Sequence, residues 1–286
     1  MFFRIALLLM LGSCLAACDD GQRSEQAVDS QGVTRGTEPV QKDNDTGEAG
    51  KTSASGNTES LPDLATDTVA FLLRLGLIRG HLHAGNALYQ QGAGEMAATH
   101  MKHPKDELYA GLVPAIETRG LSPFDAELTT LAEAVEGGAE AAAVEQAWRS
   151  LDEAIESIER GVDTTPREQL MAIAGMLDTA AEEYRIAVFE GMVEDVHEYQ
   201  DAWGFQQIAL QRVGQIEANS EAERSAKAEA AVAVSSLEDL WPDLDPVGPV
   251  GGNADRIVAA ADRIVAAAER IRAVAERIRA VAEQAG

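Results

Sequence analysis

From Leu61 onward the chain carries explicit start and stop signals for helices, and these restrict its fold more than any other feature. Thr165-Pro166-Arg167-Glu168, Asp195-x-x-Glu198 and Ser220-x-x-Glu223 read as capping boxes. In such a box a short polar side chain and a glutamate three residues later satisfy each other's free backbone N–H groups. Gly92, Gly120, Gly137-Gly138, Gly161 and Gly191 fall where helices should end, because glycine takes the left-handed closing conformation without penalty. Between these marks the apolar residues recur at helical rather than strand spacing. The predicted helices start at Pro62-Asp63 and run to about Gln91, then cover 93–102, 104–119, 125–136, 139–160, 166–190, 196–218 and 221–238. His103-Pro104 should break the chain, since a residue before proline avoids the α region, and Pro114 should kink the helix that contains it. Aromatic residues make up only 5% of the chain, and runs of β-branched residues are nearly absent. The expected class is all-α: a multi-helix bundle of about eight helices over residues 61–240 around one core.

Two segments flank this bundle. Residues 241–252, from Trp241-Pro242 to Gly252, are rich in proline and glycine and read as a linker. Residues 253–286 then repeat every seven: ADRIVAA twice and AERIRAV twice, from Ala254 to Val281. Ile257, Ile264, Ile271 and Ile278 share one heptad position, and Ala260, Ala267, Val274 and Val281 share the other. A strict seven-residue period favours a left-handed coiled coil, so a separate C-terminal arm for self-association or for an envelope partner is expected. The alternative is a helix lying on the bundle, or a repeat expansion with little function. On the N-terminal side, residues 19–60 hold no Leu, Ile or aromatic residue. Such a segment cannot offset the entropy of ordering and is expected to be a disordered tether.

Residues 1–17 carry one positive charge, Arg4, and an apolar stretch from Ile5 to Leu11 that is too short to span a bilayer. With small residues before the cut, they read as a secretory signal peptide. Leu15-Ala16-Ala17-Cys18 resembles the lipobox of bacterial lipoproteins. The resemblance implies cleavage before Cys18, lipidation of that residue, and attachment to the periplasmic side of a bacterial membrane. Asp19 after the cysteine resembles the inner-membrane retention signal of enterobacterial lipoproteins. Cys14 leaves with the signal, so the mature chain would hold neither a free thiol nor a disulfide. The formal charge of −25 disfavours nucleic acid, because no basic stripe exists to displace counterions from phosphates.

All five histidines lie in the helical region, four of them within 23 residues: His81, His83, His100 and His103. If Gly92 turns the chain back on itself, His81 and His83 come level with His103 and Met101. His81 and His83 point about 200° apart on a helix, so both cannot face the same neighbour. Gly85, Leu88, Gly92, Ala97 and Met101 resemble the small and apolar positions of one tetratricopeptide-type helix pair, over about 25 residues and without a second copy. From that packing Gly85 and Ala97 become the points of close contact, and His81 and His100 face inward. His81, His100 and His103, with Glu107 or Asp106 supplying oxygen, form a candidate site for zinc, copper or iron. Met96 and Met101 keep monovalent copper among the candidates. The structural alternative is inward histidines that only hydrogen-bond within the core.

Glu194-x-x-His197-Glu198-x-x-Asp201 contains the Glu-x-x-His half-motif of ferritin-like di-iron bundles, but no second copy exists. The capping reading of Asp195 and Glu198 is preferred there, with His197 as an optional further ligand. Imelysin-type iron proteins carry Gly-x-His-x-x-Glu, whereas residues 80–85 read Gly-His-Leu-His-Ala-Gly. No nucleophile elbow, phosphate loop or zinc-protease motif is present, so an enzyme is not expected. The sequence therefore predicts a membrane-tethered helical metal binder, as carrier or accessory to metal uptake. Its alternative is a scaffold that recruits an envelope partner.

Overall fold

The computed structural model describes residues 63–285, with backbone alone for Asp106, Glu107 and Ala285. The signal peptide, Cys18 and the predicted tether lie outside the described residues. Among those described, nine α-helices follow one another: α1 (Thr68–Gln90), α2 (Gly94–Pro104), α3 (Ala110–Thr118), α4 (Asp125–Glu136), α5 (Ala141–Gly161), α6 (Pro166–Ala187), α7 (Val196–Gln215), α8 (Glu221–Ser235) and α9 (Ala254–Ala285). A two-residue β-ribbon, β1 (Val188–Phe189) paired antiparallel with β2 (Met192–Val193), joins α6 to α7. The all-α class expected from sequence is the observed one.

The capping chemistry explains most boundaries. Thr165 and Ser220 form complete capping boxes with Glu168 and Glu223 at the starts of α6 and α8. Asp67, rather than Asp63, caps α1 by accepting from the N–H of Ala70. Gly92 turns the chain between α1 and α2 with a left-handed φ of 85°, which costs a glycine nothing. The expected break at His103-Pro104 does not occur. Pro104 closes α2, and the chain continues through a π-helical turn, Lys105–Tyr109, into α3. Proline cannot donate to the carbonyl one turn back, and a wide π turn next to it absorbs the mismatch without ending the helical run.

Helices α6, α7, α8 and α9 form a four-helix bundle, with α6 packed on both α7 and α9, and α8 on α9 and α7. Helix α1 lies against α6 and α7, and α2 folds back along α1. The line between α1 and α7 is set by two glycines. A Cβ on Gly204 would lie 2.9 Å from the carbonyl carbon of Gly80 and closer still to its oxygen. The two backbones therefore touch directly at this crossing.

The heptad helix is not separate from the bundle. Ile257 and Ile264 are completely buried, together with Ala254, Ala260, Ala261, Ala267 and Ala268, so the first two repeats form one wall of the core. The stripe then runs out past the bundle, leaving Ile278 65% and Val281 67% exposed. The predicted linker is also pinned down. The Trp241 indole donates to the carbonyl of Tyr199 (3.1 Å), and the Val250 N–H donates to the carbonyl of Gly191 (2.8 Å). Sequence periodicity gave the helix but could not say what its apolar stripe meets. Ending the chain at Ala275 is expected to leave thermal stability unchanged, since every side chain described beyond it is exposed. Ending it at Gly252 should abolish cooperative unfolding, because the lost burial is comparable with the roughly 5–15 kcal/mol that stabilises a domain. Melting curves of the two truncations read the difference, and equal melting temperatures would refute it.

Candidate metal centre

Three helices bring the site together. Helix α1 supplies His81, α2 supplies His100 and α7 supplies Asp201. The Nδ1 atoms of His81 and His100 lie 2.6 and 2.9 Å from the same oxygen, Oδ1 of Asp201. One ligand atom from each residue falls within 4.8 Å of the other two. The inward facing of His81 and His100 expected from the hairpin is what places them here. Gly85 packs against Ala97 and His100: a Cβ there would lie 3.1 Å from the Ala97 carbonyl and 3.2 Å from the His100 Cβ. The close approach of α1 to α7 at Gly80 and Gly204 sets the depth of Asp201 beneath both imidazoles.

The other face of His100 is held as firmly. The amide nitrogen of Gln200 donates to the carbonyl of Leu244 (3.0 Å), which turns its Oε1 onto Nε2 of His100 (2.7 Å). That imidazole nitrogen therefore carries its proton and donates it, leaving Nδ1 to face Asp201. This is the arrangement seen around metal-bound imidazoles, where a second hydrogen bond fixes ring and tautomer. Both nitrogens of His100 face acceptors, an arrangement that favours the charged ring. Burial opposes that charge, but hydrogen bonds to Asp201 and Gln200 and the charge of Asp201 outweigh it and raise the His100 pKa. Asp201 is buried too, which alone would raise its pKa. The charge of His81 and the hydrogen bonds from both imidazoles instead hold it well below the usual carboxylate range.

These residues fit a transition-metal ion. Two imidazole nitrogens and one carboxylate oxygen are a common first shell for zinc, copper and iron. Ligand atoms around a tetrahedral ion stand about 3.4 Å apart at metal–ligand distances near 2.1 Å. The present contacts are hydrogen-bond lengths, so an ion held here would take the place of the Nδ1 protons as the three ligand atoms spread apart. His81 is slightly exposed and His100 almost fully buried, so the group opens to solvent on one side only. Two exposed histidines lie near the group. The ring of His103 lies 6.4 Å from His81, and that of His197 lies 5.5 Å from His100.

The sequence reading and the structure differ at several positions. Asp201, not His103, completes the inner group. It was visible within the Glu194–Asp201 run, where the capping interpretation took precedence. Asp195 does cap α7, accepting from the N–H groups of His197 and Glu198, but Glu198 does not return to close the box. Its carboxyl instead interacts with that of Glu183 on α6. The side chains of Glu107 and Asp106 lie outside the described residues. Met101 is buried in the core, and Met96 accepts from the Gln200 amide at 3.7 Å, so neither thioether joins the group. His83 does contact α7, stacked on Trp203 at 5.2 Å. The two histidines straddle α7 on either side of the glycine contact, which the angular argument alone did not foresee. Burial and then the Arg79 charge lower the His83 pKa.

Comparison with known families adds one finding. Residues 160–275 match the family model of the iron permease-associated 4-helix bundle domain. The match covers less than half of the chain and corresponds to α6, α7, α8 and most of α9, the four helices that pack together above. No curated protein and no solved structure matches the chain. Asp201, Gln200, Glu183 and Glu198 belong to the matched segment. His81 and His100 come from the α1–α2 hairpin, outside it.

Proposed function

We propose that the chain is a lipid-anchored helical protein on the periplasmic side of a bacterial membrane. It binds a transition-metal ion, iron first among the candidates, at His81, His100 and Asp201. It serves metal uptake as a carrier or accessory, not as an enzyme. The observation that carries this reading is the convergence of two imidazoles from separate helices, one buried and one slightly exposed, on one oxygen of Asp201, with Gln200 orienting the inner ring. The likeness of residues 160–275 to an iron permease-associated domain supports uptake and favours iron over zinc or copper. Cys18 supplies the anchor, and no helix among the described residues is long and apolar enough to cross a membrane. A net charge of −25 raises the local concentration of cations at the mouth of the site.

The test is elemental analysis of the protein purified from the envelope without chelator or affinity tag. Bound iron, zinc or copper is expected, and the ion held by the imidazoles should be lost in a His81→Ala/His100→Ala variant that keeps its helical circular dichroism. A metal-free protein that also fails to bind added ferrous, zinc or cupric ion below about 10 μM, roughly 7 kcal/mol of binding, would make the histidines structural.

A second role rests on a separate observation. The heptad stripe continues past the bundle with Ile278 and Val281 exposed, which suits association through the protruding end of α9. Sedimentation of the chain ended at Ala275, beside the full chain, reads that role directly.

A further inference from the structure

The last two repeats of α9 differ from the first two, and the change falls where the helix leaves the bundle. Val258 and Val265 give way to Arg272 and Arg279, while Ala260 and Ala267 give way to Val274 and Val281. The earlier residues suit packing: both alanines are buried and both valines half-buried. The later ones build a different surface, with Ile278 and Val281 exposed. Arg277 and Arg279 flank Ile278 in sequence, so each stands about 100° to one side of it. Glu276 points about 200° away from Ile278, on the far side of the helix. An apolar stripe edged on both sides by arginine, with acids on the opposite face, suits a membrane interface. There the guanidinium groups reach the headgroups while their stems widen the apolar face.

Charge and position single out the same end. Residues 269–286 hold four arginines and three glutamates in a chain of net charge −25. Arg270 pairs with Glu229, and Arg272 with Glu269 and Glu276. No described side chain pairs with Arg277 or Arg279. Arg167 at the start of α6 pairs with Glu269, and α9 continues from there to Ala285, about 24 Å further. The ribbon joins the other ends of α6 and α7, so the close of α7 lies at this end as well. There Arg212 of α7 donates to the carbonyl of Leu72, near the start of α1. The chain coming from Cys18 therefore enters the bundle at the end from which α9 protrudes. That projection is roughly twice the Debye length at 0.1 M salt, which largely screens the acidic bundle from a surface touched by the tip. A second copy fits less well. In a parallel pair the arginines beside the stripe would face alanines of the other helix, and in an antiparallel pair they would face arginines.

We propose that the exposed end of α9 docks on the anionic surface of the membrane that carries the anchor. Ile278 and Val281 enter the headgroup layer, and Arg277 and Arg279 bind lipid phosphates. This rests on the lipid-anchored reading above, because an anchored domain meets its membrane at high effective concentration and a short tip then suffices.

The test is flotation of the full chain carrying Cys18→Ser, which has no acyl group of its own. The vesicles are phosphatidylethanolamine with about one third phosphatidylglycerol, a strongly anionic surface. The chain is expected to float with them. Affinity should fall about thirtyfold in Arg277→Gln/Arg279→Gln, and by a similar factor when phosphatidylcholine replaces phosphatidylglycerol. It should fall at least about tenfold in Ile278→Ser/Val281→Ser. The chain ended at Ala275, which keeps the whole core, should stay unbound. No flotation, equal flotation of the Ala275-ended chain, or an α9-dependent dimer that ignores the vesicles would overturn the proposal. The mass of the mature protein from the envelope decides the anchor separately. A Cys18 without acyl chains would overturn the anchored reading, whatever α9 does on vesicles.

Discussion

Gly204→Ala is expected to push α1 away from α7 and to weaken the metal centre without touching any ligand. The added methyl would meet the Gly80 carbonyl, inside van der Waals contact, and the Ala84 Cβ at 3.3 Å. Both neighbours belong to the α1 wall, and the nearer one is backbone, which cannot rotate aside. Overpacking of this kind costs about 1–3 kcal/mol, and the upper end applies where backbone must move. For a chain of this length that corresponds to a fall in melting temperature of roughly 6–12 °C. Separating the helices also lifts His81 off Asp201, so affinity for ferrous ion should fall at least about tenfold, or 1.4 kcal/mol. Gly214→Ala on the same helix is the control. Nothing lies within 4 Å of a Cβ there, and alanine in place of helical glycine should stabilise slightly. A Gly204→Ala protein that melts within 2 °C of the parent, by the scale just given, would mean that the two helices slide rather than lock.

The second large effect is expected at Arg79, which is the largest fully buried side chain described, at 1% exposure. From α1 it reaches three carboxylates on α5: Nε to Asp152 at 3.0 Å, Nη2 to Glu156 at 3.0 Å and Nη1 to Glu159 at 2.9 Å. Burial works against its charge, yet the three carboxylates outweigh that and raise its pKa further. Glu159 is shared with Arg212, which also donates to the carbonyl of Leu72 at 2.7 Å. Arg79→Met keeps the apolar stem and removes the charge, leaving three acids facing one another. Breaking a buried ion pair by removing one partner costs about 3–5 kcal/mol. Water reaching the partly exposed Asp152 and Glu156 should reduce the loss to about 2–4 kcal/mol. Urea unfolding at neutral pH measures it. Adding Asp152→Asn and Glu156→Gln to Arg79→Met should recover part of the loss, because the cost is uncompensated charge rather than a cavity. If the triple variant is less stable than Arg79→Met alone, packing around the guanidinium carries the energy instead.

These two residues also show how far the sequence could be read. Helix boundaries were legible because capping and stop signals act over three or four residues. Thr165 with Glu168 and Ser220 with Glu223 close their boxes as expected. Gly80 and Gly204 carried no local signal, since a glycine needed for a close crossing looks the same in sequence as a weak helix position. Glu198 was misassigned for a related reason. Its spacing from Asp195 satisfies a local rule, but a buried carboxyl from α6 competes for it and prevails. His81 and His100 were found because one glycine turn fixes their relation within a single hairpin, whereas Asp201 joins them from 101 residues beyond His100.

By itself the sequence determined an all-α chain, most of its helix limits, the acidic surface and the inward histidines of the first hairpin. All of these follow from interactions between neighbours on one helix or across one turn. The tertiary structure alone decided that the heptad helix is part of the core, that the linker is pinned to it, and that Asp201 gathers both imidazoles. Those outcomes depend on which apolar faces pack together, and an apolar stripe specifies that it must be buried without specifying against what.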